Sequence, residues 1–336
     1  MLVPVRWLRF LAMVALLALV ELSGCGGSSG NGINPPLLGK VYVSNGDTSS
    51  VMRFGAGDNG NVSPQAKFTN TVQMQRPSNL AADVLNDRLY VICRGNASIA
   101  ALNSASTRSS ATPGPDRLIS GAATTLVSPT GIALDTGKDL LYVADGNNVL
   151  VFAPASTVNG NVAPVRTLNL GSAGFTIALD SASDRLFAAA VNAVNVYDSA
   201  STLSGAATAN RVITGASTQL QSIHSIVLDS AGRLIVSNFF PENILVFANA
   251  ATANGNVAPV ATITGVGVPL QINLSSAGDL YVANNAFNAA VIVIGNIASA
   301  NGSITPVRTL AGPNTGLDPL LGSPSAVSGI AVDSTH

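Results

Sequence analysis

Acid–base or metal chemistry in this chain must draw on few side chains. It has two histidines, His224 and His336, and its glutamates are Glu21 and Glu242. His224, Glu242 and Asp145 are the groups able to act as acid, base or metal ligand, provided the fold brings them together. Around them stand residues that interrupt an otherwise regular pattern: Arg94, Asn238, the run Phe239-Phe240-Pro241-Glu242, Asn284 and Phe287. Arginine and exposed aromatics at such breaks suit ligand recognition, because each buries a large area at modest entropic cost. The plainer reading of His224 is a hydrogen-bonded histidine at a strand start, and that of Phe239 and Phe240 is packing beneath a loop. The sequence holds no phosphate loop, zinc-ligand spacing or G-x-S-x-G elbow, so neither cofactor nor metal is expected.

Two further sets of polar residues recur too regularly to mark one site. Asp83, Asp135, Asp180, Asp229 and Asp333 each end an apolar run, and Asp87, Asp139, Asp184 and Asp279 follow in the next turn. A residue present in every repeat serves the repeat, and aspartate in a tight turn accepts main-chain N–H bonds. Asparagine-rich loops such as 45–50 (NGDTSS) and 145–149 (DGNNV) lack the spaced carboxylates of a strong calcium loop and fit hairpin turns. The Asn-Gly pairs between the third and fourth strands are read the same way. Cys93 fits a core position as a small hydrophobe.

The elements that must position these side chains emerge from a repeat. Its clearest copy is GIALDTGKDLLYVADGNNVLVFAPASTVNGNVAPVRTLNLG, residues 131–171. The position of Tyr142 in that copy recurs at Tyr42, Tyr90, Phe187, Ile235 and Tyr281, in steps of 45 to 52 residues, room for four short strands. Runs such as LLYVA and ILVFA are apolar without alternation, as in a sheet covered on both faces. The last strand of a unit starts with Pro64, Pro164, Pro259 or Pro306, which suits an outermost strand.

The ends of the chain supply the closure. Its folded part starts with KVYVSN, a second strand without its first, and finishes with GIAVD at 329–333, a first strand without its second. Together they complete one unit, so a ring is expected in place of an open solenoid. The predicted fold is all-β: a six-bladed β-propeller of four-stranded blades over residues 40–336, closed by a blade shared between the termini.

The Asp-ended first strand, the Leu-Tyr-Val-Ala-Asp or Leu-Tyr-Val-Ala-Asn step and the Val-x-Val-Phe strand resemble the NHL-type propeller repeats of secreted bacterial proteins over about 300 residues. Six-bladed relatives in that class include calcium-dependent lactonases, protein-binding NHL domains and binders of sugars or peptides. The lactonase-like members hold their metal with glutamate, aspartate and asparagine at the channel, and beyond residue 24 this chain has Glu242 alone as a glutamate.

Residues 1–24 read as a signal peptide, with Arg6 and Arg9 before an 11-residue apolar run from Phe10 to Val20, too short for a spanning helix. Leu22-Ser23-Gly24-Cys25 resembles the lipobox of bacterial lipoproteins. The resemblance implies that Cys25 becomes the lipidated mature N-terminus, with residues 25–39 a Gly/Ser/Pro-rich tether. It also implies the outer membrane if the host has one, because Gly26 stands where aspartate would retain the protein at the inner membrane.

Without residues 1–24 the balance is 14 basic to 16 acidic side chains, so nucleic acid is not an expected partner. The leading expectation is a monomeric, non-catalytic module, anchored to the membrane through its N-terminal lipid, that binds protein, peptide or glycan. The alternative is an envelope hydrolase or lactonase working at the channel mouth.

Overall fold

The computed structural model describes residues 39–111, 114–171, 174–285, 289–317 and 327–336. The readings of the signal peptide, of Cys25 and of tether residues 25–38 lie outside the described residues. So do Phe287 and residues 318–326 of the last connection. The rest is all-β, six sheets of four or five strands arranged as a propeller.

Blade 3 shows the plan. Its strands Pro129–Asp135, Leu140–Asp145, Asn148–Phe152 and Arg166–Asn169 run from the channel outward as an antiparallel meander. Leu140–Asp145 is buried along its whole length because neighbouring blades cover both its faces, which is why its sequence does not alternate. Blade 1 combines Gly329–Asp333 with Lys40–Asn45, Ser50–Gly55 and Ala66–Thr69, so the two ends of the described chain meet in one sheet. Six apolar clusters fill the six joints between blades. Blade 1 packs through Tyr42 and Phe68 on blade 2 and through Val41 and Phe54 on blade 6. The ring is therefore closed by packing as well as by hydrogen bonds.

The recurrent aspartates do what turn chemistry requires, and more. Asp87, Asp139 and Asp184 have φ of 47°, 55° and 52°. Each accepts from the amide and hydroxyl of a serine in its own blade: Ser106, Ser156 and Ser201, at 2.6–3.0 Å. One carboxylate thus ties the first turn of a blade to the loop between its third and fourth strands.

The Asn-Gly loops correct the sequence reading. They were expected to serve hairpin turns alone; they also lie along the outer edge of the preceding blade. Gly60, Gly160 and Gly255 form parallel bridges to Leu310, Ile119 and Ile213. Gly205–Ala206 and Gly302–Ser303 pair in parallel with the outermost strands of blades 3 and 5. Asn159 Oδ1 accepts from Leu118 N at 2.9 Å, and Asn161 Oδ1 from Ala123 N at 2.7 Å. Asn254 and Asn256 repeat this on Val212 and Ser217, and Asn59 and Asn61 on Thr309 and Asn314.

The three N-G-N clasps come from blades 1, 3 and 5 and grip blades 6, 2 and 4, so the structural repeat is a pair of blades. The grip demands glycine opposite. Gly121 has φ of +111°, and a Cβ there would lie 2.5 Å from Asn161 Oδ1. An outer strand whose free edge is occupied in this way offers no template for aggregation.

Candidate functional site

The loops joining second to third strands and the connections between blades share one end of the ring, here called the mouth face. The innermost strands of blades 2 to 6 surround a cavity of about 280 Å³ whose lining includes Asn79, Ala133, Thr176, Ser225 and Gln271. In blades 2, 3, 5 and 6 the pairing of the innermost strand slips at its start, on the mouth face. Bulges of this kind re-aim side chains. In blade 5 the slip falls between Ile223 and Ser225, so His224 is the extra residue.

His224 is half-buried, and its Nδ1 is enclosed without a hydrogen-bond partner beyond its own main chain. Burial and then the positive charge of Arg94 push its pKa down to about 4, so the ring is neutral at physiological pH. The Arg94 side chain is exposed, while its amide donates to Arg76 O at 3.2 Å. The His224 ring centroid lies 6.4 Å from that of Phe239, and Phe239 meets Phe240 edge to face at 4.8 Å. Phe239 packs on the apolar cluster between blades 6 and 1, as expected of a residue beneath its loop. Phe240 is not packed beneath the loop. It stands 55 % exposed, propped by Phe239. Glu242 is exposed on the same loop, with φ of +62°. Phe175, which the sequence reading passed over, precedes the innermost strand of blade 4 where His224 opens that of blade 5, and is 42 % exposed.

Three other candidates turn inward. Asp145, Asn238 and Asn284 occupy the same place, the last residue of a second strand, and each is buried. The Asp145 carboxylate accepts from Val127 N and Ser128 N at 2.7 and 2.6 Å. Asn238 accepts from Gln221 N and donates to Gln219 O and to Asn243 Oδ1. Asn284 donates to Val266 O. All three fasten the connection that enters their blade, as Asn45 does in blade 1 through the carbonyls of Gly316 and Leu317. Their polar capacity is directed into the fold. Of the acid–base set, Asp145 is engaged by main-chain amides of blade 3, whereas His224 and Glu242 belong to blade 5. Burial pushes the Cys93 thiol up to about 12, which removes it as a nucleophile.

One functional residue of the framework had only a weak sequence signal. Gln271 of blade 6 reaches past blade 1 to blade 2. Its Oε1 accepts from Leu80 N at 3.1 Å and Ile330 N at 2.9 Å, and its Nε2 donates to Leu80 O at 3.0 Å. Gly329 leaves the space for this, since a Cβ there would lie 2.1 Å from Ser78 O and 2.7 Å from Gln271 Oε1. The signal was a glutamine where other repeats have Gly, Asn, Thr or Ser.

No protein-family model matches the sequence, and no curated protein matches it either. Solved structures do resemble it. A chain in the crystal structure of a nidogen/laminin complex has a TM-score of 0.59 at 16 % identity, over 89 % of this chain and 100 % of that one. A protein of unknown function from Bacteroides caccae has 0.58 at 9 %, over 89 % and 99 %. Hydrazine synthase from Kuenenia stuttgartiensis has 0.52 at 13 %, over 80 % of each chain. The chain has the β-propeller fold. At such identities the similarity carries the fold and no activity.

Proposed function

We propose that this chain is a binding module that presents the mouth face of its propeller to a protein or peptide partner, and that a lipid on Cys25 holds it at the cell envelope. The observation that carries the reading is the group formed by Phe240, Phe239, His224 and Arg94. An exposed phenylalanine is held edge-on by a packed one, beside a neutral imidazole and a free-standing guanidinium. Aromatic and arginine side chains on a rigid base are the usual anchors of protein recognition. The nidogen/laminin structure gives a precedent in shape for a propeller within a protein complex. The anchor rests on the lipobox-like tetrapeptide that follows the short apolar run of the sequence.

The test is capture from solubilised envelope with the wild-type chain and with Arg94→Ala/Phe240→Ala/Glu242→Ala. The triple variant should keep its melting temperature and lose the captured partner. Retained capture by that variant, with loss on substitution of Asn159 or Asn254 at the outer edge, would move the site to the circumference. Fatty-acid labelling that marks wild type and Cys25→Ser equally would refute the anchor.

A further inference from the structure

Each Asp that ends an innermost strand faces a cation of its own turn. The pairs are Asp83–Arg88 at 3.3 Å, Asp135–Lys138 at 3.3 Å, Asp180–Arg185 at 3.5 Å, Asp229–Arg233 at 2.5 Å and Asp333–His336 at 2.8 Å. In blade 3 the cation also joins two blades: Lys138 Nζ lies 3.0 Å from Asp184, in the first turn of blade 4. Blade 1 has the same arrangement with one change. Three residues after Asp333 stands His336 in place of lysine, and the second carboxylate is Asp87 of the blade 2 turn. The ligand atoms of Asp87, Asp333 and His336 lie within 4.8 Å of one another.

A buried hydroxyl also lies within reach of the charges of this slot. Tyr42 is 1 % exposed and its hydroxyl has no partner. The charges of Asp333 and Asp87 both bear on that phenol. Its counterpart Tyr142 stands in the same way toward Asp184 and Asp135 at the Lys138 slot. At the equivalent place in blade 2, the Tyr90 hydroxyl lies 3.3 Å from the Arg88 guanidinium. The slot is therefore one where this fold puts positive charge, and in blade 1 the side chain supplying it carries a lone pair when neutral. Arg53, the neighbouring cation, is turned to the carbonyls of Ala105 and Arg108 at 2.8 and 2.9 Å.

We propose that Asp87, Asp333 and His336 form a site for a divalent transition-metal ion of the zinc class, clipping the closing strand of blade 1 to the turn of blade 2. Two carboxylates with an imidazole are a donor set for zinc and its first-row neighbours, whereas calcium and magnesium prefer oxygen alone. Binding replaces the imidazolium proton, released to solvent, by a bond from the imidazole lone pair to the metal. The two carboxylates then balance the ion's two charges. Ligands about 2 Å from a tetrahedral ion lie roughly 3.5 Å apart. The exposed His336 side chain must therefore move inward by about an ångström. The Tyr42 hydroxyl is then positioned to donate to a ligating carboxylate, the support such ligands need.

The experiment is titration calorimetry of the full chain, chelator-treated and in mild detergent, with zinc chloride at about pH 8 and about pH 5.5. The expected result is one ion per chain at the higher pH, at least about tenfold weaker binding at the lower, and a raised melting temperature with zinc. His336→Lys, which copies blade 3, should keep the metal-free melting temperature and lose zinc affinity at least about tenfold. His224→Ala should bind as wild type. If His336→Lys does not fold, His336→Gln reads the same quantity. Equal affinity in wild type and the His336 variants, or no zinc binding at either pH, would overturn the proposal and leave the imidazolium itself as the cation.

Discussion

Replacing Gln271 by leucine removes a brace that joins three blades without changing side-chain size much. The amide of Gln271 satisfies three main-chain groups: the N–H of Leu80, the N–H of Ile330 and the C=O of Leu80, at 2.9–3.1 Å. Gln271 is 7 % exposed, so the groups it leaves behind have little access to solvent. A buried main-chain group without a partner costs about 1–3 kcal/mol. The adjoining channel cavity can admit water, which relieves part of that cost, so the lower figure for each group gives a loss of about 3 kcal/mol. With roughly 300 ordered residues and an unfolding entropy of about 2.1 cal/mol/K per residue, the melting temperature should fall by about 5 °C. Urea denaturation measures the loss, and hydrogen exchange should show the amides of Leu80 and Ile330 opening first. Thr176→Val, at the same strand position in blade 4, where the side chain spans no neighbouring blade, should cost less than about 1 kcal/mol. A Gln271→Leu variant melting within about 1 °C of wild type, with both amides still protected, would show that the brace bears no weight.

Three further outcomes follow from the joints between blades. Gly121→Ala should cost more than Asn161→Ala, and the double variant less than the sum, by about 0.5 kcal/mol or more, because removing the Asn161 side chain relieves the contact a Cβ makes with it; strict additivity in a denaturation cycle would contradict the clasp. In chelator, the hydrogen bond to Asp333, then the charges of Asp333 and Asp87, raise the pKa of His336 above 6.5. The folded state therefore favours the imidazolium, and this stabilisation is complete on the acid side of 6.5 and fades as pH rises through the higher folded-state value. His336→Ala should flatten that part of the stability–pH profile, and an unchanged slope would show that the pair contributes nothing. Deleting residues 329–336 removes the innermost strand of blade 1 together with Ile330 and Val332, so the truncated chain should aggregate or melt far earlier, as light scattering during a thermal ramp would show.

What the sequence determined by itself was the architecture. A period of 45 to 52 residues, apolar runs without alternation and two half-blades at the ends of the folded part are local facts, and each has a local cause: strand length, burial on both faces, and a chain that starts with a second strand. The aspartate turns were legible for the same reason, since Asp87 and Asp139 bond within their own blade. Tertiary structure decided which polar residues are framework and which are surface. Asp145, Asn238 and Asn284 resemble ligand groups in the sequence, yet they fasten connections 17 to 19 residues away. Phe239 and Phe240 are identical neighbours, and only the bend of one loop half-buries the first and exposes the second. The N-G-N loops, the Gln271 brace and the group of Asp87, Asp333 and His336 all join different blades, across separations of up to about 250 residues. Periodicity within a repeat carries no information about such joints. They exist because ring closure brings the end of one repeat against the start of another.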